Sequence, residues 1–210
     1  HGTPGENGLL QGYFEMLGIP HSGCSAFVSA VAFDKYSCKS YLRDADYVKL
    51  APDAFVRKGM DVNAFAKDAV ARLGLPLFVK PTDGGSSFGI SKVKEADALA
   101  SAVNFAFSEG PAVVVEKAIV GEEFTCAAYT SHGHVKALPV IQILTDNEYF
   151  DYDAKYNGNS REVCPAPISE AQSSAIQKVT ERIYTHLGCN GIVRMDYILA
   201  EDGLYFLEVN

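Results

Sequence analysis

Apolar and polar positions alternate with period two along residues 193–197, and an apolar-rich run with one acidic residue, 205–209, follows a short polar turn. Successive side chains of a strand point to opposite faces, so Arg194 and Asp196 share a face, as do Glu208 and Asn210. A three-residue loop, Glu201 to Gly203, with Gly203 left-handed, is a favoured hairpin connection and pairs Ala200 with Leu204. That register sets Asp196 opposite Glu208 and Arg194 opposite Asn210. The other face is apolar, with Val193, Met195, Tyr197 and Leu199 against Tyr205, Leu207 and Val209.

Elsewhere the pattern predicts helices over 8–17, from an N-cap at Ser25 to 33, from a cap at Asp34 to about 43, and from Asp61 to 73, then over 96–108 and 169–187. Strands are predicted at 47–50, 77–80, 90–93, 112–117, 123–130 and 135–143. Residues 145–167 form a long polar segment without periodicity, and loops of that length are often functional. Helices alternate with strands first, and strand pairs plus a helix follow. The fold class is α+β (α/β) with two lobes and a boundary near 117–121.

Composition narrows the partners. At 48% hydrophobic and 21% charged, the 210-residue chain can bury a core. A net charge of -8 and a pI near 5.1 argue against nucleic acid, whose phosphates need a basic surface, but leave room for a small anion held by a few local Lys and Arg. The five cysteines are odd in number and lack C-x-x-C spacing, which points to free thiols in a reducing compartment, the cytoplasm. No apolar run is long enough to span a membrane, and no signal peptide is expected. With His1 first and Asn210 directly after a strand, a piece of a longer protein is expected.

Several segments carry candidate chemistry. Asp196, Glu208 and Asn210 offer an all-oxygen site suited to Mg²⁺, and Arg194 beside them suits an anion or a developing oxyanion. The same pattern fits a half-solvated hairpin with a surface ion pair. Lys80 ends a strand just before the loop 82–89, whose glycines and serines let backbone N–H groups cradle phosphate. It is not a Walker A loop, and a flexible turn would look alike. Glu116-Lys117-Ala118-Ile119, with Glu123 after it, could present backbone groups to a base edge and a carboxylate to ribose. Lys155 and Tyr156 in the long loop could close over a substrate, or be ordinary solvated residues. His1 to Glu6 is glycine-rich and by itself supports little. His21, His132, His134 and His186 show no metal spacing.

Taken in order, these pieces resemble the D-alanine–D-alanine ligases of the ATP-grasp superfamily along essentially the whole chain. The resemblance rests on H-G-x-x-G-E-x-G (His1 to Gly8), D-K-Y (Asp34 to Tyr36), V-K-P followed by G-S-S-x-G (Gly85 to Gly89), E-K with E-F-T (Glu116, Lys117, Glu123 to Thr125), the run from Phe150 to Tyr156, R-x-D and the terminal E-x-N. It implies the end of an N-terminal substrate lobe at 1–23, a central lobe at 24–117, and an incomplete C-terminal lobe at 118–210, with ATP between the last two. It implies Lys35 and Lys80 on the phosphates under Gly84, Gly85, Ser86 and Ser87, and Lys155 at the γ-phosphate. Adenine would be held by Glu116, Lys117 and Ile119, and ribose by Glu123. Two Mg²⁺ (or Mn²⁺) would bind Asp196, Glu208 and Asn210, with Glu208 bridging. Arg194 would stabilise the tetrahedral intermediate, and Glu6, Ser86 and Tyr156 would complete the catalytic set.

The implied activity is ATP-dependent joining of two D-alanines for peptidoglycan precursors, by a cytoplasmic protein that is a homodimer at full length. Tyr156 goes with dipeptide rather than D-lactate products. Two departures stand out. Asp83 and Gly84 replace an Arg and a Glu common in relatives, and the flanking segments that grip both substrates are missing, so the piece alone is expected to be inactive. The alternatives are another ATP-grasp carboxylate–amine ligase and a non-catalytic nucleotide-binding module.

Overall fold

Two β-sheets organise the chain, whose structure is a computed structural model describing residues 2–84, 88–145 and 160–210. Contacts divide it into one unit of residues 1–50 with 120–210 and a second unit of residues 51–119.

The second unit carries an antiparallel four-stranded sheet. β2 (Asp53–Arg57), β3 (Leu77–Pro81), β4 (Ser91–Val93) and β5 (Ala112–Lys117) lie in the order β2-β5-β3-β4. Alternation sends Ala54, Val56, Leu77, Val79, Val93, Val113 and Val115 to one face. That face is covered by α4 (Val62–Leu73) and α5 (Leu99–Ala106), through Ala66, Ala69, Leu73, Leu99, Val103 and Ala106. Asp61 caps α4 by accepting from the Asn63 and Ala64 N–H groups, and Gly74 ends it. The helix predicted over 96–108 begins as a 3-10 turn, Ala96–Ala98, before becoming α-helical. β2 was not predicted: its Asp and Arg ends hide the strand pattern, and pairing along β5 forms it.

The first unit is built on a seven-stranded sheet. β1 (Lys49–Leu50), β11 (Gly203–Val209), β10 (Ile192–Ala200), β6 (Glu122–Ser131), β8 (Ile141–Thr145) and β9 (Ser160–Val163) follow one another, and β7 (His134–Ala137) also pairs with β6. α6 (Glu170–Leu187) starts with a capping box at Ser169 and Gln172. It buries Ile176, Ile183, Tyr184 and Leu187 against Phe124, Cys126, Ala128, Val193, Met195 and Tyr197. α1 (Leu9–Met16), α2 (Ala26–Phe33) and α3 (Lys35–Leu42) belong to this unit. Segment 24–50, grouped by sequence with 51–117, therefore packs here instead, because β1 joins β11 in parallel and Val28, Cys38 and Leu42 enter this core.

Two predicted strands change. The single strand over 135–143 is split into β7 and β8, since Pro139 has no N–H to continue a ladder. The strand predicted over 47–50 is reduced to Lys49–Leu50. β9 lies in the segment that showed no periodicity. Among the described residues no helix is long and apolar enough to cross a membrane.

The hairpin differs from its predicted form at the turn and agrees at the site. Ala200 pairs with Gly203, not Leu204, so the connection is two residues, Glu201 and Asp202. A bulge between Asp196 and Tyr197 leaves Leu207 without a Cα partner, after which Asp196 faces Glu208. The extra residue offsets the shorter turn. It also puts Phe206, not Leu207, in the core, edge-on to Tyr197 with ring centroids 6.2 Å apart.

Candidate functional site

The pairing lays the polar face of the large sheet out in rows. Arg194 and Asn210 exchange backbone hydrogen bonds of 2.8 and 2.7 Å. In the next row Glu208 faces Asp196, which faces Thr125. In the row after that, Ile198 faces Glu123, then Ile143, then Glu162. Glu123 therefore shares the face of Asp196.

Side chains converge on Asp196. The Arg194 guanidinium donates from Nε to Oδ1 at 3.0 Å and from a terminal nitrogen to Oδ2 at 3.1 Å. Such a fork is a charge-assisted bidentate pair. Asn210 Nδ2 donates to Oδ2 at 2.9 Å. Lys35, the first residue of α3, brings Nζ to 3.5 Å from Glu208 Oε2, and its side chain is 12% exposed. The helix that carries it is capped by Asp34, which accepts from the Ser37 N–H at 2.6 Å.

Burial raises the Asp196 carboxyl above its ordinary range, Arg194 opposes this, and Glu208 adds to it. For Arg194 burial pulls downward, but Asp196, Glu208 and Glu162 outweigh it and hold the guanidinium above its usual value. Two carboxylates share a confined face, which a divalent cation would relieve. The donor set of two carboxylates and an amide oxygen fits a hard cation. Among the described residues no group of three or more His, Cys, Asp or Glu is arranged to hold a metal, so a metal here depends on Asn210.

The second unit contributes a separate cluster. Lys80 Nζ donates to Glu116 Oε2 at 2.8 Å, with side chains 16% and 9% exposed. Lys80 and Lys92 both lie over the Phe78 ring, each 5.6 Å from its centroid. These residues share the sheet face opposite the unit's core, because Phe78 pairs with both Glu116 and Lys92. Lys117 ends β5, and its N–H donates to the Pro52 carbonyl. Gly84 has φ +113°, a conformation that suits glycine.

Arg194, Asp196, Glu208, Asn210 and Lys35 are thus brought together, and so are Lys80 and Glu116. Glu6 instead accepts from the Gly2 N–H within its own segment, at 2.5 Å. His1, Gly85, Ser86, Ser87, Lys155 and Tyr156 lie outside the described residues. Thr125 and Glu162 were not singled out as site residues by sequence. Thr125 is visible only through its pairing with Asp196, and Glu162 was hidden in the segment read as a loop.

A family model described as the D-ala D-ala ligase C-terminus matches residues 41–210. A D-alanine--D-alanine ligase of Parabacteroides distasonis is 49% identical over 211 residues, covering 100% of this chain and 63% of the relative. One from Porphyromonas gingivalis is 47% identical over 216 residues, with the same two coverages of 100% and 63%. Among solved structures, the VanG D-Ala:D-Ser ligase of Enterococcus faecalis superposes with a TM-score of 0.90 at 36% identity, covering 100% of this chain and 61% of that one. D-alanyl-alanine synthetase A of Vibrio cholerae gives a TM-score of 0.87 at 32% identity, with coverages of 100% and 64%. The chain therefore spans less than two thirds of the proteins it resembles.

Proposed function

We propose, from the premise that this chain belongs to the D-alanine–D-alanine ligase family, that the whole protein joins two D-alanines at the expense of ATP. The product would feed peptidoglycan precursor synthesis in the cytoplasm. The observation that carries this reading is the convergence of Arg194, Asp196, Glu208, Asn210 and Lys35 on one sheet face.

A free carboxylate is a poor acyl donor. Phosphoryl transfer from ATP to the first D-alanine's carboxylate makes an acyl phosphate. The amine of the second D-alanine then attacks the carbonyl, and phosphate leaves. Charge moves onto oxygen in both steps, so fixed cations should dominate catalysis. Lys35 and Lys80 are assigned to the ATP phosphates, with Gly84, Gly85, Ser86 and Ser87 covering them and Lys155 at the γ-phosphate. Glu116, Lys117 and Ile119 are assigned to adenine and Glu123 to ribose. The adjacent Lys80 and Glu116 present a donor beside an acceptor, which suits a base edge and the phosphate next to it. Asp196, Glu208 and Asn210 would hold two Mg²⁺ (or Mn²⁺), which would neutralise charge on the phosphoryl oxygens. Arg194 is assigned to the oxyanion of the tetrahedral intermediate. Tyr156, Ser86 and Glu6 are assigned to the substrate side.

A D-serine acceptor is the second reading, favoured by the likeness to the D-Ala:D-Ser ligase. Both are tested by incubating full-length protein with ATP, Mg²⁺ and D-alanine, alone and with D-serine or D-lactate, and following ADP and products. D-alanyl-D-alanine with D-alanine alone is the expected result. ADP formation only with another acceptor would overturn the assignment. Tyr156→Phe should let D-lactate compete, and unchanged acceptor preference would remove Tyr156 from the site.

A further inference from the structure

Cys24 and Cys189 meet far from each other in sequence and outside the proposed ligase chemistry. Both pack in the core of the first unit, and Cys24 sulfur sits on the backbone of Asn190, the residue after Cys189. The Asn190 N–H donates to Cys24 Sγ at 3.3 Å, and the Cys24 S–H donates to the Asn190 carbonyl at 3.2 Å. Gly191 permits this approach: its φ is +68°, and a Cβ there would fall 1.9 Å from the Ser22 carbonyl oxygen. Cys189 is buried and Cys24 half-buried. An open pocket of about 660 Å³ is lined in part by the chain neighbours of the two cysteines, Ser22, Gly23, Ser25, Asn190 and Gly191. All five cysteines are free.

We propose that Cys24 and Cys189 form an oxidation site that takes small hydroperoxides and closes reversibly to a disulfide. The Cys24 thiolate attacks the terminal oxygen of ROOH. The O–O bond breaks, ROH leaves with a proton, and Cys24 becomes a sulfenic acid. Cys189 sulfur then attacks Cys24 sulfur. An S–S bond forms and water leaves, carrying the hydroxyl of Cys24 and the proton of Cys189. Two thiols lose two electrons, and the hydroperoxide gains them.

The order follows from the surroundings. The neighbouring Cys189 thiol, helped by the Asn190 backbone, brings the Cys24 thiol down despite burial. The same contact and burial push Cys189 up. Cys24, half-buried and accepting from the Asn190 N–H, is therefore the attacking thiolate, and the buried Cys189 the resolving thiol. By contrast, burial pushes Cys38 up to about 12 and Cys126 up to about 11, which makes both inert. The disulfide would staple the turn before α2 to the turn before β10, the strand that carries Arg194 and Asp196.

The test treats full-length protein with stoichiometric hydrogen peroxide, blocks the remaining thiols by alkylation, and maps peptides by mass without reduction. The expected result is a linked Cys24–Cys189 peptide that dithiothreitol separates. Thiol loss at Cys24 should run roughly 3-fold faster than at the exposed Cys164, since the Asn190 N–H donates to Cys24 sulfur and stabilises its thiolate. In Cys189→Ser, dimedone should capture a Cys24 sulfenic acid that wild type does not accumulate. Oxidation of Cys164 while Cys24 and Cys189 still alkylate would overturn the proposal. So would a lasting wild-type sulfenic acid with no linked peptide.

Discussion

Each unit holds a carboxylate–cation pair with a second carboxylate opposite it, in different surroundings. In the second unit Glu116 and Lys80 lie 2.8 Å apart, both largely shielded from water, and Glu116 faces Asp53 across the β2–β5 pair. In the first unit Asp196 has the Arg194 fork but also faces the carboxylate of Glu208 across the hairpin. The cation of the second unit is the more shielded of the two, Lys80 at 16% against Arg194 at 50% exposed. The set in the first unit holds its two carboxylates against Arg194 and Lys35 where burial already disfavours the Asp196 charge, and a divalent cation there would relieve the repulsion between Asp196 and Glu208. A third pair, Lys49 and Asp202 at the hairpin tip, is as short at 2.6 Å but open to solvent, with side chains 45% and 60% exposed. Distance alone thus separates none of the three, and surroundings decide what each can do.

The contrast can be broken most sharply at the hairpin. Asp196→Asn or Glu208→Gln should cut Mg²⁺-dependent ADP formation by full-length protein roughly 100-fold or more, the scale of several kcal/mol of charge stabilisation. Titrating Mg²⁺ against ATP binding checks it, and unchanged metal dependence would remove these residues from the site. In the second unit Glu116→Ala should act on stability, because it leaves Lys80 shielded and without its 2.8 Å partner. A loss of roughly 2–4 kcal/mol is expected, somewhat below that of a fully buried pair. Glu116→Gln keeps an acceptor and should lose less. Urea midpoints distinguish the two, and equal midpoints would show that the pair carries no such weight.

The smallest effect belongs to Asp202. The Lys49 hydrogen bond, then that of Tyr205, holds its carboxyl below the usual 3.8. A depressed carboxylate contributes stability above its unfolded value and loses it as pH falls through the folded value. Asp202→Asn should therefore melt slightly below wild type at neutral pH, and the gap should close in acid below the usual carboxylate range. A gap that persists there would assign the effect to packing.

The two units also differ in how much of them could be read from sequence. In the second unit the 112–117 strand, the Asp61 cap and the Gly74 stop occur where local chemistry puts them, because each signal lies within a few residues. In the first unit Asp196 still faces Glu208, though the turn is one residue shorter than predicted. Turn length and bulge are coupled through the whole ladder, and alternation reports only their sum. β9 escaped detection because Ser160–Val163 has no pattern of its own and forms by pairing with β8.

By itself, then, the sequence determined the local elements, the free-thiol chemistry, the faces of the hairpin and the family likeness, all of which reside in residue type and short spacing. Tertiary structure decided the rest. It seated Lys35 on Glu208, put Phe206 rather than Leu207 in the core, and brought Lys80 to Glu116 and Cys24 to Cys189. Each of these joins residues that are distant along the chain or depends on a one-residue register shift. Such meetings are set by how sheets pair and cores pack, which no short window of residues records.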